Sequence, residues 1–179
     1  KLTHWDQYPP DTDGVFSYFE SRVGARWPET TFFGLQAIIT DSLVGQVVTP
    51  EGIDAAEALV AAHLGDATMF NRAGWEYIVE HYDGRIPIRI RAVPEGTAVP
   101  TGNVMMVVEN TDPNCFWLTN YIESLLTHVW YPSTVATLSK SVKDEFVKRL
   151  ERTSDNPEVV DFMLHDFGYR AGTSEESAR

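Results

Sequence analysis

The sequence predicts an α+β fold on three observations: capped helices in its first half, antiparallel strands in its middle and long helices towards its end. Its 179 residues, 43% of them hydrophobic, are enough for one domain with a real core. The net charge is −12. Since nucleic acids and anionic membranes attract an excess of Lys and Arg, this balance argues against both as general partners. An anionic substrate would need a local arginine site.

Cysteine usage and hydropathy indicate the cellular setting. The single cysteine, Cys115, excludes an internal disulfide framework and suits a reducing cytosol. No apolar run approaches the roughly 18 residues that suggest a membrane span, and the N-terminal stretch lacks the hydrophobic segment of a signal peptide. We therefore expect a cytoplasmic protein. Because the first residue is Lys1 and the last residues carry no clear stop signal, we also expect a piece of a longer chain.

Alternation predicts the first strand, and apolar spacing predicts the helix after it. Residues 14–22 (GVFSYFESR) alternate between two faces, which places Arg22 at a strand end. Residues 30–45 (TTFFGLQAIITDSLVG) then bring apolar side chains together at helical spacing, with Gly45 as the stop.

Two more helices are predicted from their caps. The stretch TPEGIDAAEALVAAHLG begins with a capping threonine, Thr49, and ends at Gly65. The stretch NRAGWEYIVEHYDG begins with Asn71 as its cap and ends at Gly84. Their acidic side chains are typical of exposed helix faces and carry no functional weight.

The middle of the chain predicts a small antiparallel sheet. Residues 85–93 (RIPIRIRAV) alternate isoleucines with arginines, residues 97–100 extend briefly, and residues 104–110 (VMMVVEN) form the next strand after a TGN turn. The arginines mark either the solvent face of a half-buried sheet, which is the commoner case, or an anion site.

Beyond residue 111 the composition becomes helical, and we place a boundary there. Asp112 is a candidate cap for a helix from residue 113, and a helix resumes after Pro132 with Ser133 as a candidate new cap. Residues 159–170 (VVDFMLHDFGYR) then predict a short buried strand that runs into a glycine turn.

The stretch LHDFGYR, residues 164–170, holds most of the candidate chemistry. One interpretation is a strand end in which Phe167 and Tyr169 complete a core and Asp166 pairs with Arg170. The other is a ligand site: a phenyl face stacks on a flat ring, the glycine lets a ligand approach the backbone, and an arginine grips a phosphate. The motif alone favours the first interpretation, because short motifs often match by chance. The five histidines are scattered, so no structural metal is expected.

Several blocks together resemble one family, in the same order along the chain. They are THWDQYPPDTDGVFSYFESR, ETTFFGLQ, VPEGTAVPTGNVMMVVENTDPNCFWLTNYIESLL, WYPSTVAT and LHDFGYRAGTSEES. These blocks, which cover residues 3–178, are similar to the N-terminal part of the nicotinamide phosphoribosyltransferases. The resemblance implies an α+β domain followed by the start of an irregular α/β barrel of the type II phosphoribosyltransferase kind.

The resemblance also implies a domain division and an activity. Residues 1–13 would be an N-terminal segment that packs on the barrel, 14–111 the sheet-and-helix domain, and 112–179 the first elements of the barrel. The family makes nicotinamide mononucleotide and pyrophosphate from nicotinamide and phosphoribosyl pyrophosphate in NAD salvage. It works as a homodimer with active sites at the subunit interface, and uses Mg²⁺ together with ATP as a coupling substrate.

The same resemblance implies roles for individual residues. Phe167 would stack on the nicotinamide ring and Arg170 would contact the ligand's polar or phosphate groups. His165 and Asp166 would shape the motif, and no residue of this chain is expected to be catalytic. Arg22 matches an arginine that approaches the phosphates from the neighbouring subunit.

Three departures from the family pattern leave alternatives open. A second ring-stacking aromatic would precede Lys1, and Ala171 and Gly172 stand where the family commonly has Gly then Val. The phosphorylated histidine, the aspartate that reads the carboxamide and most phosphate-binding residues belong to the family's C-terminal portion, so this chain alone is not expected to turn over. The alternatives are a nicotinate phosphoribosyltransferase and a non-catalytic half for dimerisation or regulation.

Overall fold

A computed structural model describes residues 2–174, which form two antiparallel sheets and six α-helices joined by short 3-10 turns. The strands are β1 (Phe16–Glu20), β2 (Glu29–Thr31), β3 (Ile88–Ala92), β4 (Ala98–Pro100) and β5 (Val104–Asn110). The helices are α1 (Leu35–Ser42), α2 (Pro50–Leu64), α3 (Arg72–Tyr82), α4 (Leu118–Tyr121), α5 (Glu123–Leu126) and α6 (Trp130–Thr153).

The larger sheet confirms the antiparallel pairing predicted for the strands in residues 85–93 and 104–110. The extension predicted at residues 97–100 lies instead in the smaller sheet, where β4 pairs with β2. The order of the larger sheet is β1-β5-β3, so the last strand in sequence lies in the centre. The arginines of β3 lie on its exposed side, where Arg89 and Arg91 share the carboxylate of Glu109 at 3.2 and 3.3 Å. These ion pairs fit the wet face of a half-buried sheet.

The predicted caps of α2 and α3 are confirmed. Thr49 Oγ1 accepts a hydrogen bond from the Gly52 amide at 3.1 Å, and Asn71 Oδ1 accepts one from the Gly74 amide at 3.1 Å. Helix α2 ends at Gly65 in the left-handed conformation. Local sequence therefore fixes where both helices begin.

The helix predicted over residues 30–45 is shorter than expected, because α1 spans only Leu35–Ser42. Residues 29–31 instead form β2 and pair with β4. Between them Gly34 has a φ of +98°, and a Cβ there would lie 2.3 Å from Pro132 Cγ. Only glycine accepts both that conformation and that close approach, so the chain turns at this point.

The break predicted at Pro132 is wrong, since α6 already includes this proline in its first turn. The first turn of a helix has no intrahelical partner for its N–H groups, so a proline there costs little. Ser133 is consequently a helical residue rather than a cap.

Two hydroxyls of α6 take the place of a strand beside β2. Ser133 Oγ donates to the Phe33 carbonyl at 3.0 Å and accepts from the Phe33 amide at 3.1 Å. Thr137 Oγ1 accepts from the Thr31 amide at 2.9 Å. Both side chains are buried, and so is Thr31, so the bond from Thr137 satisfies a backbone amide with little access to water.

The core lies between the larger sheet and the helices, and it draws side chains from both sides of residue 111. Ile78, Met105 and Leu118 are among its fully buried members. Trp75 of α3 packs edge-on against Trp117 at 4.8 Å between ring centroids. Among the helices of residues 2–174, none has the length and hydropathy that crossing a bilayer requires. The division at residue 111 stays a prediction.

The N-terminal segment is attached to this core by aromatic side chains. Trp5 Nε1 donates to the Met69 carbonyl at 3.0 Å, and the Tyr8 ring meets Phe116 edge-on at 5.1 Å. Asn120 Nδ2 also donates to Tyr8 Oη at 2.8 Å.

The predicted buried strand over residues 159–170 is absent. Pro157–Phe162 and Gly168–Ala171 form 3-10 turns, and residues 161–174 are exposed. The first turn packs against α6, with Lys143 Nζ 2.6 Å from Asp161 Oδ1. A strand needs a neighbouring strand for its backbone hydrogen bonds, and the described part of the chain places none beside this segment.

Candidate functional site

The candidate site is the exposed turn around residues 165–170. Asp166 Oδ1 accepts a hydrogen bond from the Gly168 amide at 2.6 Å, which fixes the turn that follows Phe167. The Phe167 ring is 74% exposed and Tyr169 is 65% exposed. Within residues 2–174 these two rings therefore do not complete a core.

The charged side chains of this turn are accessible to solvent. In residues 2–174, Arg170 makes no ion pair and no side-chain hydrogen bond, so its predicted pairing with Asp166 is absent. The Asp166 carboxylate binds a backbone amide instead. His165 is exposed beside it. An aromatic face and a guanidinium are thus presented together to solvent.

Arg22 lies elsewhere, just beyond the end of β1, and is exposed. Within the described part of the chain it has no ion-pair partner, and no hydrogen bond or ring contact joins it to residues 165–170. His165, Asp166, Phe167 and Arg170 therefore lie on one turn of the chain. Arg22 is not linked to them by a hydrogen bond, an ion pair or a ring contact among the described residues.

A second polar centre, around Asp112, was predicted only as a helix cap. Its Oδ1 accepts from the Asn114 amide at 2.7 Å, and its Oδ2 accepts from Tyr77 Oη at 3.0 Å and Tyr82 Oη at 2.5 Å. Burial favours the neutral acid, but these hydrogen bonds favour the carboxylate more strongly and lower its pKa. The two tyrosines lie far upstream in sequence, so no local pattern could have found them.

This second centre is structural rather than reactive. Burial, with a smaller contribution from the nearby Asp112 charge, raises the pKa of Cys115 to about 12. A thiol in that state stays protonated near neutral pH and is a poor nucleophile. The oxygens of Asp112 are already used by hydrogen bonds that tie α3 to the chain beyond β5.

Side chains that could bind a metal are scattered in the described part of the chain. In residues 2–174, no three His, Cys, Asp or Glu side chains are grouped so that they could hold a metal ion.

Together these features define a class: a mixed α/β protein with small antiparallel sheets. One of its turns presents an exposed phenyl ring and an arginine that has no ion-pair partner among residues 2–174. The family model described as "Nicotinamide phosphoribosyltransferase, N-terminal domain" matches residues 1–90. The chain belongs to this nicotinamide phosphoribosyltransferase family.

Three relatives bear the name nicotinamide phosphoribosyltransferase. The chain is 52% identical over 179 residues to the one from Xanthomonas campestris pv. campestris, across 99% of this chain. It is 30% identical to the one from Acinetobacter baylyi across 95% of this chain, and 27% identical to the one from Mycoplasma pneumoniae across 99%. The chain spans 37%, 36% and 44% of the lengths of these relatives, respectively.

Proposed function

We propose that this chain is the N-terminal portion of an enzyme that makes nicotinamide mononucleotide and pyrophosphate from nicotinamide and phosphoribosyl pyrophosphate. The observation that carries the proposal is the turn that presents Phe167 and Arg170, exposed and without partners in the described chain. The 52% identity to a relative with that name supports it. We further propose that residues 112–179 begin an α/β barrel of the type II phosphoribosyltransferase kind.

Catalysis of this reaction depends mainly on orienting the two substrates and on neutralising the charge that develops. The ring nitrogen of nicotinamide donates its electron pair to C1 of the ribose, while the bond from C1 to the pyrophosphate oxygen breaks and the electrons leave with pyrophosphate. Positive charge develops on the sugar and negative charge on the leaving group, so a fixed cation and a fixed ring geometry accelerate the step. No protein nucleophile is required.

The residues of this chain suit those two needs. The phenyl face of Phe167 stacks on the flat ring of nicotinamide and holds its nitrogen in line. The guanidinium of Arg170 forms charge-assisted hydrogen bonds with the ligand's polar or phosphate oxygens. Asp166 acts as a positioning residue through its bond to the Gly168 amide, and His165 shapes the same turn.

Arg22 completes the proposal as a residue for a neighbouring site. It is exposed, and among the described residues it has no ion-pair partner and no hydrogen bond to the Phe167 turn. In a homodimer it would approach the phosphates bound in the partner's active site. We propose such a cytoplasmic homodimer, in which the remainder of the enzyme supplies the other phosphate ligands.

Mg²⁺ and ATP are proposed as participants of the whole enzyme. Magnesium is commonly held by substrate phosphates with one or two carboxylates, and residues 2–174 contain no ready cluster for it. We therefore assign no step of the reaction to either group from this chain. The prediction that residues 1–13 pack on the barrel is likewise kept as a proposal.

The test is steady-state synthesis of nicotinamide mononucleotide by the full-length protein. Phe167→Ala should raise the KM for nicotinamide at least about tenfold, which corresponds to ~1.4 kcal/mol of lost stacking. Arg170→Gln should lower kcat/KM by a similar factor. Phe162→Ala and Arg152→Gln are matched controls, because both residues are exposed and lie outside the proposed site.

The controls should leave both kinetic parameters within about twofold of wild type. If Phe167→Ala behaves like Phe162→Ala, the assignment of the site is wrong. Replacing nicotinamide by nicotinate in the same assay separates the amide-specific enzyme from its acid-specific alternative, and no turnover with either would leave only the non-catalytic half.

A further inference from the structure

The chain between β1 and β2 is tied at both ends to one neighbouring turn. The Gly102 amide donates to the Ser21 carbonyl at 3.0 Å, and the Thr101 amide donates to the Pro28 carbonyl at 2.9 Å. Thr101 Oγ1 donates to the same Pro28 carbonyl at 3.0 Å. Because Thr101 and Gly102 are adjacent, the chain leaves and returns to nearly the same place, and residues 22–27 form a short closed loop, the arginine loop.

The arginine loop is positively charged in a chain whose net charge is −12. Arg22 and Arg26 are both exposed, and neither has an ion-pair partner among the described residues. Glu20 and Glu29 flank the loop in the sequence but pair with neither arginine. Elsewhere, carboxylates pair with Arg72, Arg85, Arg89, Arg91, Lys140, Lys143 and Arg149. The loop therefore keeps two guanidinium groups free for an anionic ligand.

A turn at Val23 and Gly24 brings these two arginines near each other. Gly24 has a φ of +98°, and the Cα atoms of the first and last residues of a β-turn are less than about 7 Å apart. Arg22 begins this turn and Arg26 follows its last residue, so their Cα atoms lie within about 11 Å. The Arg26 guanidinium lies over the Trp27 ring, 5.3 Å from its centroid, which restricts its rotamers. Two long side chains at that separation can reach adjacent phosphate groups.

We propose that the arginine loop binds the pyrophosphate group of phosphoribosyl pyrophosphate, with Arg26 as a second arginine beside Arg22 and Thr101 as the positioning residue of the loop. This inference rests on the proposed function, which assigns Arg22 to phosphates in the partner's active site. Each of the two phosphate groups of pyrophosphate accepts charge-assisted hydrogen bonds from one guanidinium. The pair of arginines also stabilises the negative charge that pyrophosphate gains as it leaves.

The test is steady-state kinetics and product inhibition of the full-length protein. Arg26→Gln should raise the KM for phosphoribosyl pyrophosphate and the inhibition constant of pyrophosphate at least about tenfold, because one charge-assisted hydrogen bond is lost. Inhibition by nicotinamide mononucleotide should change less than about twofold, since this product keeps only the 5′-phosphate. Arg152→Gln is the matched control, because Arg152 is also exposed and without an ion-pair partner among the described residues.

Thr101→Val tests the attachment of the loop. It removes the hydroxyl that donates to the Pro28 carbonyl and should raise the same two constants at least about threefold, with the KM for nicotinamide unchanged. Thr101→Ser keeps the hydroxyl and should behave as the wild type does. Thr134→Val is the matched control, since that hydroxyl also donates to a backbone carbonyl, but within α6.

The outcomes separate this inference from the proposed function. If Arg22→Gln weakens pyrophosphate inhibition but Arg26→Gln behaves like Arg152→Gln, the inference is wrong and the proposed function stands. The inference is also overturned if Arg26→Gln weakens inhibition by nicotinamide mononucleotide instead, which would place the loop at the 5′-phosphate. If Phe167→Ala and Arg170→Gln match their own controls, the proposed function fails and this inference fails with it.

Mixed dimers test whether the loop acts in the partner's site. Combining Arg26→Gln subunits with Phe167→Ala subunits should restore activity at low phosphoribosyl pyrophosphate, because one site of each mixed dimer then has both residues intact. No restoration would show that Arg26 does not reach the partner's site.

Discussion

Replacing Asp112 by alanine should loosen the attachment of α3 to the chain beyond β5. The carboxylate is 8% exposed and accepts from two tyrosine hydroxyls and from the Asn114 amide. Removing it deletes a helix cap and leaves the two hydroxyls of α3 without their acceptor. The Asn114 side chain, whose Nδ2 donates to Tyr77 Oη at 3.0 Å, would remain as a weaker link between the two segments.

The expected loss in the free energy of local opening follows from the hydrogen bonds that the substitution removes. A cap contributes about 1 kcal/mol, and a hydrogen bond to an ionised acceptor about 1.5–3 kcal/mol. Both tyrosines are half-buried, so water replaces part of the loss. We expect Asp112→Ala to reduce the free energy of local opening by about 2–3 kcal/mol, which is roughly a 30- to 150-fold loss of protection.

Hydrogen exchange of the full-length protein, read in peptides from α3 and from residues 112–117, measures this change. Asp66→Ala is the matched control, because Asp66 also caps a 3-10 turn but is exposed and receives its hydrogen bonds only from Thr68. Asp66→Ala should reduce protection only in the turn that Asp66 caps. Unchanged protection of α3 in Asp112→Ala would refute the reasoning.

The difference in protection between wild type and Asp112→Ala should depend on pH. The folded pKa of Asp112 lies below its ordinary value of 3.8, since the hydrogen bonds that it accepts outweigh the effect of burial. Its contribution is therefore complete above the unfolded value and disappears as pH falls through the folded one. The difference between wild type and Asp112→Ala should be constant from about pH 8 to about pH 5 and should shrink below about pH 4.

Two further outcomes are expected from the core. Gly34→Ala should cost about 2–4 kcal/mol, from positive φ and from the clash with Pro132, whereas Gly45→Ala, with positive φ but open space, should cost only about 1–2 kcal/mol; equal losses in urea denaturation would contradict this. Iodoacetamide at about pH 8 should label Cys115 only when the protein unfolds, because burial raises the thiol pKa to about 12. Rapid labelling of the native protein, seen by intact mass, would show that the thiol is accessible.

The elements that local sequence controls were predictable. Thr49, Asn71 and Asp112 each sit before a helical pattern, and each side chain accepts the expected amide hydrogen bond. What could not be predicted depends on distant partners. The helix predicted over residues 30–45 includes Thr30 and Thr31. Instead residues 29–31 pair with β4, and the Thr31 amide donates to Thr137 Oγ1 of α6, 106 residues away.

At the candidate site, too, local sequence predicted the residues but not the structure that depends on distant partners. The motif identified Phe167 and Arg170, and the structure leaves both exposed and available. The predicted strand before them did not form, because alternation and apolar character cannot supply the neighbour that a strand requires. In the proposed homodimer, the place of Arg22 relative to this turn would depend on how the two subunits are arranged, which the pattern of one chain does not encode.

The hydroxyl contacts of α6 lie near its N-terminal end, so a small tilt there would displace the other end of the helix by a larger distance. Its 24 residues extend about 36 Å at 1.5 Å per residue, and Ser133 and Thr137 hold only its first turns. A tilt of about 5° at these contacts would move the far end, roughly 24–30 Å away, by about 2–3 Å. Because the segment that carries Phe167 is tethered along α6 through Asp161, a substitution at Ser133 can shift that ring without touching it.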